Sequence, residues 1–328
     1  HYIVFEGLKM GRALEQEMNQ VVLDEINDYT EKLDCFNGGS LHEEDWQKRR
    51  LWQGIYGQRQ PDVQMIRIKI PYGIGTSQQF RAVADLAKKV TNGVIHITTR
   101  AALQLHYIPR NDTPEVLNGI ASVGLTSREA CGNVVRNVTA DPYAGITPDQ
   151  VFNVIPLAEF LFNHCLRNPY SQNFPRKFKI SFSGNDAGDY GLSFMHDIGY
   201  VASSKDGKYT LDVYAAGGLG GRPIGDDRIE KDMPLEDILI GATALMRIFN
   251  EFGNRKNRNK ARMKFIKDDW GVEEFIKKYK EEFNRIKDSE YGKSLILDVS
   301  GMDLDLPQES ADVSKVKSLV EDTLWVDN

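Results

Sequence analysis

Between residues 130 and 145 the chain reads Ala-Cys-Gly-Asn-Val-Val-Arg-Asn-Val-Thr-Ala-Asp-Pro-Tyr-Ala-Gly. Val134, Val135 and Val138 make an apolar run, and Arg136 and Asn137 interrupt it. A guanidinium cannot shed its proton to escape burial. Once this run is packed, Arg136 must face an anion, either an internal carboxylate or a bound anionic ligand. A fold that buries the valines therefore has to provide negative charge beside its core.

The chain has the material for such a core. Its 328 residues are 41% hydrophobic, enough for a substantial interior and for more than one domain. A net charge of −6 argues against a nucleic-acid backbone as the main partner. The strongest basic cluster, from Arg255 to Lys264, is the basis of a rival reading as an RNA-binding module, but it lacks interleaved aromatics for base stacking. It reads as a charged helix start. No run approaches the roughly 18 apolar residues of a membrane span, and the opening residues lack a basic region followed by a long apolar one. A cytoplasmic location is expected, with no membrane partner. Cys35, Cys131 and Cys165 are far apart and form no Cys-x-x-Cys pair, so neither a disulfide framework nor a zinc site is indicated. A cubane iron-sulfur cluster takes about four thiolates, more than this chain holds. The chain opens on His1 rather than Met, as a trimmed protein does.

Hydrophobic periodicity divides the chain. Leu14, Met18, Val21, Val22, Ile26 and Tyr29 recur at helical spacing, and a second short helix is expected from 43 to 50. Residues 54–61 read as a polar loop. Alternation over 65–70 predicts a half-buried strand, Phe80, Val83, Leu86, Ala87 and Val90 a helix, 94–99 and 103–108 two strands, and Pro114 the start of another helix. Strand, helix, two strands and helix make half of a ferredoxin-like sandwich. Further on, a helix is expected over 149–167, a strand over 178–182, a hairpin turning at Asp206-Gly207, and helices over 235–252 and 272–283. The expected class is α+β, with a helical arm at 1–60, the ferredoxin-like half-domain at 61–127, a larger α+β domain at 128–290 and a connector at 291–328.

Two features bear on chemistry. In Lys177-Phe178-Lys179-Ile180-Ser181-Phe182 the two lysines share one face of a strand, which is either a solvated edge or a binding face. Gly217-Gly218-Leu219-Gly220 is no dinucleotide fingerprint, because Pro223 stands where a third glycine is needed; glycines here allow close backbone approach to a flat ligand.

Cys131-Gly132-Asn133 with Arg136-Asn137-Val138-Thr139 and the following Pro142, Ala144 and Gly145 resemble the first-half motif of the sirohaem-containing sulfite and nitrite reductases. His96-Ile97-Thr98-Thr99-Arg100 with Gln104 and His106, Pro175-Arg176-Lys177-Phe178-Lys179, and the glycine run follow that family's order. The resemblance covers about residues 51 to 275. It departs from the family at Ala101, often a polar residue there, and at Asp141, often cysteine. It implies a ferredoxin-like half-domain followed by a larger α+β domain, with sirohaem and a 4Fe-4S cluster as cofactors and the cluster ligands outside this chain. Arg100, Arg136, Lys177 and Lys179 are implied to surround the substrate, and Thr98, Thr99, Gln104, Asn133, Asn137, Gly217, Gly218 and Gly220 to contact the cofactor. His106 is a candidate proton donor and Arg59 a candidate at the rim. The implied activity is six-electron reduction of sulfite to sulfide or nitrite to ammonia, with an electron donor such as ferredoxin and a missing second half or a homodimer mate. The alternative is a non-catalytic tetrapyrrole- or anion-binding structural partner.

Overall fold

A computed structural model describes residues 12–185 and 188–306, with side chains from residue 19 on. Two sheets, each with its own core, make up the described chain. In order the elements are α1 (Arg12–Asn37), α2 (Glu43–Trp52), β1 (Ile55–Gly57), β2 (Val63–Lys69), α3 (Ser77–Val90), β3 (Ile95–Ile97), β4 (Ala102–Pro109), α4 (Thr113–Ala121), β5 (Val135–Ala140), α5 (Ile155–Cys165), β6 (Phe178–Ser183), β7 (Ile198–Lys205), β8 (Lys208–Ala215), β9 (Asp227–Pro234), α6 (Ile238–Phe252), α7 (Lys264–Trp270) and α8 (Val272–Lys287).

The first sheet is antiparallel with order β1-β2-β4-β3. Ile66 and Ile68 of β2 and Leu103 and Leu105 of β4 face α3 and α4 in one core. Strand periodicity then sends Arg67 and Lys69 to the opposite face. Lys69 lies 5.3 Å over the ring of Phe162, a residue of the second core, so this face looks at the second sheet. The helix α3 starts on a capping box at Thr76 and Gln79. The arm is part of this unit: Ile26, Tyr29 and Leu33 of α1 and Trp46 of α2 are buried in its core. Val21, expected inward, is exposed, and the side chains of Leu14 and Met18 lie outside the described residues. The loop expected at 54–61 contains β1, because its first residues pair with β2 from Ile55↔Ile66 to Gly57↔Gln64. A three-residue edge strand carries too little periodicity to be read from sequence.

The second sheet has order β5-β6-β7-β8-β9, with β5, β6 and β7 parallel and the last two joints antiparallel. The β7–β8 hairpin turns at Asp206 and Gly207, both with positive φ, the geometry that suits the sheet's twist. Strand β9 escaped the sequence reading; its Asp-Arg-Ile-Glu-Lys-Asp run is charged because only Ile229 and Met233 face the core. The helix expected from 149 begins at Ile155, where Pro156 sits in its first turn. Its lead-in is held instead by Gln150, whose side chain bonds Tyr143 O and Gly145 N. The connector expected at 291–328 is packed as far as it is described: Leu295 and Leu297 are buried, and Asn153 N donates to Leu304 O. Residues 307–328 lie outside the described residues. No helix among the described residues is long and apolar enough to cross a membrane.

Candidate functional site

The interrupted apolar run is strand β5, and its register explains the interruption. Val135 pairs with Phe178 and Val138 with Ile180, three steps on β5 against two on β6. This bulge lets both valines face the second core although their spacing is odd. Arg136 and Asn137 occupy the bulge and are turned toward the first sheet.

Arg136 meets no carboxylate among the described residues. It donates to Gly132 O at 3.1 Å, to Ala130 O and to the Tyr56 hydroxyl at 3.2 Å. Neutral acceptors take three of its five N–H groups and do not compensate its charge. Asn137 is buried and donates to Ile70 O and Ala101 O, both at 2.8 Å. It pins the first sheet to the second, and its Oδ1 has no partner among the described residues.

Arg100 performs the same tying from the other side. Its Nη2 donates to Asn137 O at 2.7 Å and Ile180 O at 2.9 Å, and its Nε donates to His196 Nε2 at 2.9 Å. Burial pulls its pKa down to about 9, with Arg136, Arg262 and Arg67 acting the same way and Asp197 opposing. It is still a cation at neutral pH.

On β6 the core takes Phe178, Ile180 and Phe182, which leaves Lys177 and Lys179 together on the face shared with Arg136. Neither ammonium has a hydrogen bond or ion pair among the described residues. Burial pushes Lys177 down to about 8, helped by Arg136, Arg262, Arg176 and Arg67, and pushes Lys179 down to about 7, helped by Arg100 and Arg262. These mutual effects place the four predicted cations in one cluster.

Two members of the cluster were missed in the sequence. Arg67 projects from β2 at the centre of the first sheet, opposite Gln104, which in turn faces His96. Its guanidinium makes no hydrogen bond or ion pair among the described residues, and its Nε is buried without a partner. The signal was available: an arginine alternates with isoleucines in Ile66-Arg67-Ile68, as Arg136 does with valines. Arg262, hidden in a basic stretch that resembles a solvated helix start, donates to Asp197 Oδ2 at 2.8 Å.

The expected cofactor contacts divide. Thr98 Oγ1 donates to Ala102 O and shapes the loop that carries Arg100, while Thr99 is exposed. Gln104 shares the open sheet face with His96 and His106, whose ring nitrogens are 3.4 Å apart. Asn133 is exposed and donates to Pro175 O. A Cβ on Gly217 would stand 2.2 Å from Phe194 O, and one on Gly218 3.1 Å from the Lys264 side chain. The space those glycines vacate is thus filled by the protein itself. Gly220, with φ of +113°, has nothing within 4 Å and is free to approach a ligand. The loop is held by Lys264, whose buried ammonium donates to Gly218 O, Leu219 O and Arg222 O at 3.1, 3.0 and 2.5 Å. Arg59 is exposed in the β1–β2 loop.

A cavity of about 470 Å³ lies elsewhere, lined by Asp24, Glu25, Asp28, Trp52 and Arg128 among others. Two of its carboxylates are matched internally, Glu25 by Arg167 and Asp28 by Arg49. On the cationic face Arg262 alone has a carboxylate partner among the described residues, Asp197, and the remaining charge is where an anion is needed.

Residues 131–287 match the family model described as the nitrite and sulphite reductase 4Fe-4S domain, and residues 56–123 that of the nitrite/sulfite reductase ferredoxin-like half domain. The chain is 29% identical over 262 residues to sulfite reductase (ferredoxin) 1 of Mycolicibacterium paratuberculosis, covering 74% of this chain and 47% of that protein. It is 32% identical over 237 residues to the chloroplastic ferredoxin–nitrite reductase of Arabidopsis thaliana, covering 69% and 40%. The NirA protein of Mycobacterium tuberculosis shares the fold with a TM-score of 0.69 at 24% identity, over 84% of this chain and 54% of that one. The chain spans less than half the length of either curated relative.

Proposed function

Because this chain belongs to the nitrite and sulfite reductase family, we propose that its cationic face binds sulfite or nitrite during six-electron reduction to sulfide or ammonia. One observation carries the reading. Arg67, Arg136, Lys177 and Lys179 share a face on which none of them has an ion pair among the described residues, and a bound anion would supply the missing charge.

The family's cofactors are sirohaem and a 4Fe-4S cluster, which supply the electrons when bound. The residues fit the first. Sirohaem is flat and rich in carboxylates, and the face offers unpartnered guanidinium and ammonium groups, the orphaned Arg67 Nε and the open backbone at Gly220. Gln104, His96, His106 and Thr99 lie along the same face and would meet its edge. The residues do not fit the cluster. Cys131 and Cys165 are buried, burial pushes their thiols up to about 11 and about 12, and no group of three metal-ligating side chains occurs among the described residues. The cluster thiolates are therefore assigned to a partner segment of different sequence, and turnover to the assembly that contains it. The names of the relatives support ferredoxin as electron donor.

The protein's own groups have distinct tasks. Arg67 and Arg136 keep their charge at any working pH and hold the anion as electrons arrive. Lys177 and Lys179, with pKa values near 8 and 7, hold and release protons close to neutrality, which is what oxygen atoms leaving as water require. Arg100 is tied to the carbonyls of Asn137 and Ile180, which places it behind the face.

The test is reduced-viologen oxidation by the sirohaem-loaded assembly with nitrite and with sulfite, with ammonia and sulfide measured as products. Turnover of either anion that falls tenfold or more in Lys177→Met and Lys179→Met supports the reading. Tight sirohaem binding with no turnover of either anion points to the non-catalytic tetrapyrrole-binding partner instead.

A further inference from the structure

Beneath the cationic face lies one buried carboxylate, at a position the sequence did not single out. Asp197 is fully buried just before β7. Its Oδ2 accepts from the Lys179 amide and from Arg262 Nη2, both at 2.8 Å. Its own amide donates to Lys179 O at 3.0 Å, so the residue grips β6 at Lys179 from both directions. Asp197 Oδ1 has no hydrogen-bond partner among the described residues, and neither has Arg262 Nε. A buried carboxylate with one oxygen unbonded is costly unless its charge serves a neighbour.

We infer that Asp197 is a positioning residue of the anion face, an internal counter-charge that grips the Lys179 backbone and Arg262 from beneath. This rests on the reading of the face as an anion site. The groups facing Lys179 are Arg100 from the loop before β4, Arg262 from the loop before α7, Lys177 on its own strand, and the neutral His196 beside Asp197. All the charged ones except Asp197 are positive. Burial, Arg100 and Arg262 drive the Lys179 ammonium down and Asp197 holds it up. Without that carboxylate the Lys179 midpoint falls further, and at neutral pH the face loses more of the charge that holds the anion.

The experiment titrates Lys179 by NMR in lysine-labelled protein, with Lys179→Arg identifying its signal, and follows nitrite binding by calorimetry from pH 6 to 9. In the parent protein both midpoints are expected near pH 7. Asp197→Asn, which keeps an acceptor for Arg262, should lower both by about one pH unit. Arg262→Met removes a like charge and frees the carboxylate, and should raise both. Opposite shifts are not produced by a residue that only supports the fold. Unmoved Lys179 midpoints in variants of altered stability would overturn the inference. Should Asp197→Asn fail to fold, Arg262→Met decides alone, an unmoved midpoint again refuting it. If the Lys179 midpoint shifts as expected and nitrite binding ignores it, the role of Asp197 stands and the anion-site reading falls.

Discussion

Arg100 Nε donates to His196 Nε2 at 2.9 Å, and this bond fixes the histidine's tautomer. A nitrogen that accepts from a guanidinium carries no proton, so the proton is on Nδ1, which donates to Leu192 O at 2.7 Å. Burial, and then the adjacent Arg100, hold the imidazole pKa well below its usual value. The ring serves as a neutral acceptor that orients a cation.

Acid should therefore weaken the fold. A histidine whose folded pKa lies below its unfolded value binds fewer protons when folded, so stability falls as pH drops below about 6.5. Burial lowers His164 and His106 in the same direction. His196→Gln, which retains an acceptor for Arg100 and cannot ionise, should flatten this acid limb in urea unfolding between pH 5 and 7. An unchanged limb would place the acid sensitivity elsewhere.

Arg100→Ala should destabilise by about 2–4 kcal/mol, since it deprives the carbonyls of Asn137 and Ile180 of a charged donor. Arg67→Gln should behave in the opposite way. It breaks no internal bond and removes an uncompensated half-buried charge, so the unfolding midpoint should hold or rise while anion affinity drops tenfold or more. Parallel losses of stability in both variants would contradict the division between a tying arginine and a binding one.

Alkaline pH should stabilise the ligand-free protein. Burial holds Lys69 at about 8, Lys177 at about 8 and Lys179 at about 7. Each unfolded lysine binds its proton up to about pH 10.4, so the unfolded state carries more protons from about pH 7 upward and stability rises with pH. Tm should climb by about 2 °C or more between pH 7 and 9. Lys69→Met should shrink the climb and raise Tm at pH 7. Saturating nitrite should reduce it too, because an anion favours the protonated lysines on the face.

Lys264→Met should cost about 2–4 kcal/mol, removing the ammonium donor shared by three carbonyls of the glycine loop, of which Gly218 O keeps the Ile224 amide. The same substitution should weaken sirohaem retention more than nitrite binding, because the open Gly220 lies on this loop and the cations do not. Spectrophotometric titration of the variant with sirohaem checks the difference.

The open edge of the first sheet should associate. Among the described residues strand β3 pairs only with β4, and Ile97 beside Thr98 is 77% exposed, as Val94 is at 60%. Strands β2 and β4 are central, each paired on both sides, so β3 is an edge of this sheet. An edge left open is a template for another strand. Ile97→Lys should lower the apparent mass in light scattering at high concentration; a mass unaffected by the charge would remove β3 from any interface.

What the sequence determined by itself was the material of each layer. Ile66, Ile68, Leu103 and Leu105 alternate, and Ile238, Ala242, Leu245 and Phe249 recur at helical spacing, so their buried faces were legible because alternation and helical period are local properties. The conflict at Arg136 was legible too, since a charge inside an apolar run needs an explanation in any fold. Only the tertiary structure decided how that conflict is resolved. The bulge between Val135 and Val138 depends on the partner strand β6, and no residue near Arg136 in the chain reveals it. Arg100 Nη2 and Asn137 Nδ2 also donate to backbone carbonyls of the other sheet, a tie that their motifs do not reveal. Arg67, Asp197 and Arg262 come from separate elements, and each alone looks like an ordinary residue. Their meaning is a sum of charges at one place, and Coulomb interactions depend on distance in space, which sequence separation does not record.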